Sequence, residues 1–398
     1  MYREGAAAAG PVRGTKVLVL GRGLPIDCAS MFLADVGADV VMVEDPGSGP
    51  AIDEVDPVID GLGYQRLAFC RNKRSVALRA SDAAELEVIH RLLDWADVVL
   101  YDSANPIGRN LAGVLRRLAT HRPELITCDG STWGSFGERA GWAGNDLMLQ
   151  ASAGCMDLTG EADDPPTRAG ASIFDFVSGT YVAIAVLAAI FRRQTAGAGQ
   201  RIEVAGYDTA VTLLSNMASA YFATGEHRSR LGTGHISIFP YNAFRTSDGE
   251  IVIAIFTQAF WSKFCVGIGR PDLLENPRYK TIPDRMRAKD ELSAILDALF
   301  LQRTTDEWSA ILQEADVPYG PVLPVGRALS LDQTTHRGMT PTMAGLSRPV
   351  RMIGSPLRFL LSDGSTYHPA ARRAPRVGEH DPASILSPSD AQPESSGQ

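Results

Sequence analysis

The sequence has no surplus of positive charge and no closely spaced cysteines. Its 398 residues include 38 Lys and Arg against 46 Asp and Glu, a formal net charge of -8 at pH 7. Proteins that bind nucleic acids or acidic membrane surfaces usually carry a basic surplus, so we expect neither partner here. The five cysteines are scattered, with no C-x-x-C pair and no nearby His-rich spacing. We therefore predict reduced thiols in a cytoplasmic protein without a metal site.

The sequence also lacks an apolar run near residue 1 and an uncharged stretch long enough to span a membrane. Residues 1–14 are small and include two arginines, which predicts a flexible tail rather than a signal peptide. The sixteen uncharged residues 176–191 are fewer than a spanning helix needs, and we expect them to form a helix buried on all sides. Residues 382–398 are rich in Ser and Pro, which predicts a disordered tail.

What is present is a globular composition, 45% hydrophobic and 21% charged, in which strand and helix patterns alternate. Four apolar strand patterns between residues 16 and 128 are separated by helical patterns. This alternation predicts an α/β fold with a parallel, Rossmann-like sheet in a large domain, 15–225. A hairpin pattern with Asp248-Gly249 at its turn, followed by helices, predicts a smaller α+β domain, 226–325. Residues 326–381 are expected to return to the large domain.

Two motifs in the first third of the chain are typical of nucleotide contacts. Gly21-x-Gly23 follows the first strand, but Ile26 stands where a dinucleotide fingerprint has its third glycine, so we predict no NAD site. Glu44, at the end of the second strand, is the acidic residue that would bind the ribose hydroxyls in such a site. The cluster Arg71-Asn-Lys-Arg74 precedes a short strand and forms either solvated charges or a clamp for phosphate groups.

Asp175 is the most distinctive acidic residue, because it stands at the start of the uncharged helical pattern. A carboxylate there would face the positive end of the helix dipole and several unpaired amides, and we expect it to stay ionised. Two interpretations are open from position alone. Asp175 is either an ordinary N-cap, a role that Asp commonly fills, or a catalytic carboxylate.

Several short motifs, in the same order over about residues 14–361, resemble those of the class III CoA-transferases. This family includes formyl-CoA:oxalate and carnitine CoA-transferases and is related to the α-methylacyl-CoA racemases. The motifs are Leu33-Ala-Asp-Val-Gly-Ala-Asp-Val-Val, Asn72-Lys-Arg-Ser-Val-Ala-Leu, Gly134-x-Phe-Gly, Gln194-Thr-x-Gly-x-Gly-Gln, Phe244-x-Thr-x-Asp-Gly, Trp308 in its helix and Asp316-Val-Pro-Tyr-Gly-Pro-Val.

This resemblance implies that Asp175 is a nucleophile. It would attack the thioester of an acyl-CoA donor and pass CoA through an aspartyl-CoA thioester to an acceptor carboxylic acid. The resemblance also implies two chains threaded through one another as interlocked rings. The residues that it suggests for the CoA phosphates are Arg71, Lys73, Arg74 and Arg109, and those that it suggests for the substrate loops are Asn145, Gly179, Gly232 and Gly234.

The chain departs from the related racemases at two positions. Their catalytic His is matched by Asn145-Asp146 and their Glu lies near Phe256. Racemisation needs a proton acceptor on each face of the α-carbon, and Asn and Phe cannot serve. A CoA-transferase is therefore the first hypothesis. A racemase or epimerase, and a member that binds acyl-CoA without turnover, are the alternatives.

Overall fold

The computed structural model describes residues 10–47, 56–227 and 230–387. Its strands are β1 Lys16–Leu20, β2 Asp39–Glu44, β3 Val58–Ile59, β4 Leu62–Gly63, β5 Arg74–Ala77, β6 Val98–Tyr101, β7 Ile126–Asp129, β8 Arg201–Glu203, β9 Tyr241–Arg245, β10 Glu250–Ala254, β11 Tyr319–Pro321, β12 Thr342–Met343, β13 Val350–Arg351, β14 Phe359–Leu360 and β15 Thr366–Tyr367.

The α-helices of the described residues are α1 Leu24–Asp35, α2 Tyr64–Phe69, α3 Ala83–Trp95, α4 Pro106–His121, α5 Asp146–Ser152, α6 Cys155–Leu158, α7 Ile173–Ala196, α8 Gly206–Leu213, α9 Ser215–Thr224, α10 Gln258–Gly267, α11 Pro271–Glu275, α12 Ile282–Arg287, α13 Lys289–Phe300, α14 Thr305–Glu314, α15 Val325–Ala328, α16 Asp332–His336 and α17 Pro382–Leu386.

The chain divides into two compact units. The first comprises Met1–Gly154, Ala169–Ser219 and Asp332–Gln398, and the second comprises Cys155–Arg168 and Ala220–Leu331. The chain returns to the first unit at Asp332, whereas the prediction places this return at residue 326. Residues 155–168 and 220–225, which the prediction places in the large domain, lie in the second unit.

The first unit is built on a parallel sheet in the described residues, with strand order β5-β2-β1-β6-β7-β8. The strands form because β-branched and other apolar residues run through them without interruption, and both faces of β1 and β2 are buried. The predicted α/β class is therefore confirmed. The order reverses between β1 and β6, and ligands in such sheets bind beyond the carboxyl ends of the strands at this switch point.

Helix α7 packs on α1 at a close crossing. A methyl group at Gly179 would lie 2.5 Å from the Cys28 Cβ and 2.7 Å from the Pro25 carbonyl oxygen, so only glycine permits this approach. The buried residues of α7 fall on one face, including Val182, Val186 and Ala189. The helix ends at Gly197, whose left-handed conformation is the usual C-terminal stop.

The other face of α7 is exposed, so the expectation of a helix buried on all sides is wrong. Exposed apolar residues recur along it at helical spacing, and they are Ile173, Phe176, Tyr181, Ile184, Leu187 and Phe191. Helix α7 is the one helix of the described residues that is long and apolar enough to cross a membrane by length and composition, and half of its apolar window is buried within the chain. Core helices share these properties.

Residues 10–14 and 382–386, which belong to the two predicted tails, are folded. Residues 10–14 form a turn in which the Val12 amide donates to the Val36 carbonyl, because Gly10 fits closely against the end of α1. Residues 382–386 form α17, capped by the Asp381 side chain, with Ile385 in the core of the first unit. Residues 1–9 and 388–398, the remainder of the predicted tails, lie outside the described residues.

The C-terminal part of the chain completes the edge of the large sheet. The buried Arg66 guanidinium donates from Nε to the Pro375 carbonyl at 2.5 Å. The His380 amide donates to the Ser75 carbonyl of β5 at 2.9 Å. Contacts across more than 300 residues of sequence thus close the first unit.

The second unit has an antiparallel sheet in the order β11-β10-β9. The predicted hairpin at Asp248-Gly249 is present, with the Thr246 amide donating to the Gly249 carbonyl across the turn. Its core is aromatic, with Phe300 packed between Phe244 and Trp308. The predicted smaller domain is thus an α+β unit with its own core.

Gly179→Ala is expected to destabilise the chain by about 1–3 kcal/mol, since the added methyl group overpacks the contact between α1 and α7. The free energy of unfolding in urea measures the effect. Gly113→Ala in α4 is the matched control, because an added methyl group would meet only the Arg117 side chain of the same helix, at 3.8 Å, and it is expected to stabilise by about 0.5–1 kcal/mol. Equal stability of Gly179→Ala and the natural chain would contradict this account of the crossing.

Candidate active site

Asp175 occupies the third position of α7, inside the helix rather than at its N-cap. The N-cap is Ser172, whose side chain makes no capping hydrogen bond. The cap interpretation of Asp175 is therefore wrong. The reason is that the helix begins three residues earlier than the uncharged pattern indicates, with Ile173 and Phe174 in its first turn.

A second carboxylate, from Asp146, supplies the missing cap. Its Oδ1 accepts hydrogen bonds from the Phe174 amide at 2.8 Å and from the Asp175 amide at 3.3 Å. These are amides that a helix leaves unpaired at its N-terminus. Asp146 thus fixes the backbone from which the Asp175 side chain projects.

Asp146 is itself held by a buried glutamine. Gln150 Nε2 donates to Asp146 Oδ2 at 2.5 Å, and Gln150 Oε1 accepts from the Ala169 amide at 2.7 Å. Gln150 is fully buried and Asp146 is 6% exposed. The chain of contacts therefore runs from the segment before α7, through α5, to the N-terminus of α7.

Sequence reasoning missed the roles of Asp146 and Gln150. It named Asn145, which is exposed and serves as the N-cap of α5, accepting from the Leu147 amide at 3.1 Å. An acid and an amide four residues apart, on one face of a short helix, were the available signal. The pattern does not say which distant helix such a pair would reach.

The environment of Asp175 favours its protonated form. Burial raises the pKa of this carboxyl from 3.8 to about 7, the negative charge of Asp146 adds to the increase, and a backbone hydrogen bond from Asp146 opposes it. The side chain is 7% exposed. The expectation of a permanently ionised Asp175 is therefore wrong, because desolvation and a like charge outweigh the helix dipole.

Two of the predicted phosphate ligands are engaged inside the first unit. The Arg71 guanidinium pairs with Asp35 at 2.6 Å and also donates to the Ala68 and Ile353 carbonyls. Lys73 Nζ donates to the Asp27 carbonyl at 2.8 Å and to Ser30 Oγ at 2.7 Å, and burial lowers the pKa of this lysine. Both residues fasten α1 to the sheet, and phosphate binding by them stays a prediction.

The other two predicted cations are accessible. Arg74 pairs with Asp39 near the start of β2 at 2.6 Å. Arg109 is exposed in the first turns of α4 and donates to the Ala104 carbonyl at 2.9 Å. Arg109 follows the carboxyl end of β6, next to the switch point, whereas Arg74 reaches back towards the amino end of β2.

The predicted loop glycines have local structural explanations. Gly179 lies within α7, where its amide belongs to the helix ladder and its missing side chain permits the contact with α1. Gly232 and Gly234 belong to the second unit. Gly232 has φ +59 and its amide donates to the Gly160 carbonyl at 2.9 Å, while the Gly234 amide donates to the Leu231 carbonyl at 2.9 Å.

Glu44 is occupied by protein partners. Its carboxylate receives Arg66 at 2.7 Å and Arg22 at 3.0 Å, together with the Ser75 hydroxyl. Burial alone would raise the pKa of Glu44, but these partners outweigh it and lower the pKa to about 2. Glu44 is thus part of a buried ion cluster and is not available to a ribose.

No group of three or more His, Cys, Asp or Glu able to hold a metal occurs among residues 10–47, 56–227 and 230–387.

The sequence of this chain matches a known family of enzymes over most of its length. The model of CoA-transferase family III matches residues 12–381, nearly the whole chain. The chain therefore belongs to CoA-transferase family III, an enzyme family whose substrates are CoA thioesters.

Individual proteins are similar to this chain over most of its length. Succinyl-CoA:glutarate CoA-transferase of Homo sapiens is 30% identical over 93% of this chain and 84% of its own. Acetyl-CoA:oxalate CoA-transferase of Acetobacter aceti is 29% identical over 93% of this chain and 94% of its own. The crystal structure of a CAIB/BAIF family protein from Brucella suis is 31% identical, with a TM-score of 0.82 over 96% of this chain and 100% of that one.

The pKa of Asp175 predicts a pH-dependent stability. Between pH 3.8 and about 7 the folded chain keeps a proton that the unfolded chain has released, so the free energy of unfolding falls as pH rises through this window. Asp175→Asn has no such proton. Its stability relative to the natural chain is expected to increase towards pH 8, by up to about 4 kcal/mol.

Urea titrations at several pH values measure this difference. Asp208→Asn is the matched control, because Asp208 is exposed in the first turn of α8. We expect no comparable gain for it. A pH-independent difference between Asp175→Asn and the natural chain would show that Asp175 titrates normally.

Proposed function

We propose that the protein transfers CoA from an acyl-CoA thioester to a carboxylic acid, with Asp175 as the nucleophile. The observation that carries the proposal is the buried Asp175 carboxyl, whose backbone amide donates to the Asp146 carboxylate at the start of α7. Because the pKa of Asp175 is about 7, a large fraction of the molecules carries an ionised Asp175 at neutral pH. This carboxylate is also more basic than a free one. Membership of the CoA-transferase family supports the same reaction.

The proposed reaction uses four acyl exchanges. An Asp175 oxygen attacks the donor thioester carbonyl, the C–S bond breaks, and CoA thiolate leaves an acyl-aspartyl anhydride. The thiolate then attacks the aspartyl carbonyl, which releases the donor acid and forms aspartyl-CoA. The acceptor carboxylate attacks this thioester and again expels the thiolate, which finally takes the acceptor acyl group and restores Asp175. Splitting the exchange through a covalent intermediate avoids direct attack of one weak partner on another.

We propose that the donor and acceptor are short acyl groups, with a dicarboxylic acid as the first choice of acceptor. The curated relatives carry the names of glutarate, oxalate and mesaconate transferases. Phosphate binding by Arg109, and location in the cytoplasm, remain parts of this proposal that rest on the sequence. Arg74 is left out of it, because this side chain pairs with Asp39 at the opposite, amino end of β2.

The covalent step can be tested by trapping. When the protein is incubated with succinyl-CoA or acetyl-CoA and then hydroxylamine, we expect a hydroxamate on Asp175, because the aspartyl-CoA thioester is cleaved by this amine. Peptide mass spectrometry locates the modification. Asp175→Asn should remove it and reduce CoA transfer to glutarate, oxalate or mesaconate by at least about a thousandfold.

Asp208→Asn should retain both the hydroxamate and the transfer, since it changes an exposed helix-start acid elsewhere. An unmodified Asp175 peptide with every donor would overturn the nucleophile assignment. The racemase alternative makes a different prediction, in which deuterium from solvent enters the α-carbon of a 2-methylacyl-CoA without any acceptor acid. CoA-induced thermal stabilisation with neither chemistry would favour the non-catalytic alternative.

We further propose that two chains associate as the intertwined homodimer that the family resemblance implies. The exposed apolar stripe of α7 supports this, because Phe191 is 67% and Ile184 is 55% exposed in the single chain. Contiguous apolar surface of this kind is typical of a protein interface. A second copy would remove it from water.

Light scattering during size-exclusion chromatography is expected to give twice the mass of one chain. Ile184→Glu should shift the protein towards monomer or aggregate, because it places a charge in the stripe. Val266→Glu, at a 65% exposed position of α10 in the second unit, is the matched control and should leave the mass unchanged. A natural chain that elutes as a monomer would contradict the homodimer.

A further inference from the structure

One pocket of the first unit lies towards the amino ends of the strands, on the edge of the sheet opposite the switch point. Its volume is about 1090 Å³. Lys16 and Asp39, the first residues of β1 and β2, line it together with Trp95 at the end of α3. The chain segment 372–387 forms its other wall.

The accessible lining is strongly basic. Among the described residues, Arg13, Lys16, Arg74, Arg372 and Arg373 carry positive charges into the pocket, against the carboxylates of Asp39 and Glu379. The whole chain has a net charge of -8, so this concentration of cations is opposite in sign to the protein. A pocket of this kind raises the local concentration of anions.

The two carboxylates are already paired. Asp39 binds Arg74 at 2.6 Å, and Glu379 binds Arg373. Within the described part of the chain, no ion pair neutralises Arg13, Lys16 or Arg372. Three cations therefore face one pocket with their charge uncompensated.

Local structure fixes the backbones that carry these three cations. The Arg13 amide donates to the Gly10 carbonyl at 3.0 Å within the N-terminal turn. The Arg372 amide donates to Asn72 Oδ1 at 2.8 Å. Lys16 begins β1, and its Nζ lies 5.5 Å from the centre of the Trp95 ring. The backbones that carry the cations are thus fixed, so binding has to order only the side chains.

We propose that this pocket binds a small anion carrying two or more phosphate groups. Guanidinium groups pair with phosphate oxygens through two parallel hydrogen bonds, and Arg13 and Arg372 are available for such contacts. Three uncompensated charges match a diphosphate better than a single carboxylate. The volume is enough for a nucleotide as well as for inorganic pyrophosphate.

The site is separate from the proposed catalytic centre. Asp175 belongs to α7, which packs on α1, whereas the pocket is lined by strand beginnings and by the segment that closes β5. Binding would join the segment 372–387 to β1 and the N-terminal turn. The ligand is therefore expected to stabilise the first unit without occupying the acyl-transfer site.

Isothermal titration of the full chain with inorganic pyrophosphate, at low and high NaCl and with CoA present at saturation, tests the proposal. We expect binding that weakens with salt and persists with CoA. Arg372→Gln and Lys16→Gln should each weaken it about tenfold or more, because each removes a charged contact. Arg117→Gln, an exposed cation on α4, should not change it. A parallel titration with ADP distinguishes a nucleotide from free diphosphate as the preferred source.

Absence of binding at millimolar pyrophosphate would overturn the proposal, and so would binding that Arg372→Gln and Lys16→Gln leave unchanged. Full displacement by CoA would also overturn it, since the phosphates of CoA would then occupy the same cations. Thermal midpoints of the unliganded variants should match that of the natural chain. Arg13→Gln provides a third variant if either of the others unfolds. None of these results depends on the trapping of Asp175.

Discussion

The contact between the Asp146 carboxylate and the first amides of α7 is the constraint on which the site depends. Helix α7 begins without a capping side chain of its own, so its N-terminus needs an acceptor from elsewhere. Asp146 supplies that acceptor from α5 and in doing so brings a negative charge next to Asp175. This contact thus sets the position of the candidate nucleophile, and the charge of Asp146 adds to the increase that burial causes in the pKa of Asp175.

This arrangement resolves an apparent conflict in the electrostatics. A helix N-terminus favours an anion, whereas burial and a neighbouring carboxylate disfavour a second one. Asp146 takes the amides and stays hydrogen-bonded to Gln150, so the disfavoured charge is that of Asp175. A carboxylate in this state is more basic than one in water. It is also a better nucleophile once ionised.

Much of the fold could be predicted from sequence, because it follows from local periodicity. The alternating strands of the first unit and the hairpin at Asp248-Gly249 are encoded in short runs of apolar residues and turn residues. Asp175 could be singled out because it precedes an uncharged stretch, but only the resemblance to the CoA-transferases favoured a catalytic role over a helix cap. Asp146 was not, because its partners lie 28 and 29 residues away and depend on how α5 and α7 pack. Equally, no local pattern revealed that Arg71 pairs with Asp35 of α1 or that Lys73 donates to the Asp27 carbonyl of the same helix.

The hydrogen bonds that join residues 66 and 75 to residues 375–380 have a consequence for synthesis of the chain on the ribosome. The N-terminal strands emerge first, yet the β5 edge and the buried Arg66 lack these partners until residues 375–380 have been translated. The first unit therefore cannot be completed until residues 220–331 of the second unit have been synthesised. Contacts between residues so far apart in sequence form late in folding, and until they form the incomplete sheet edge is exposed to association with other chains.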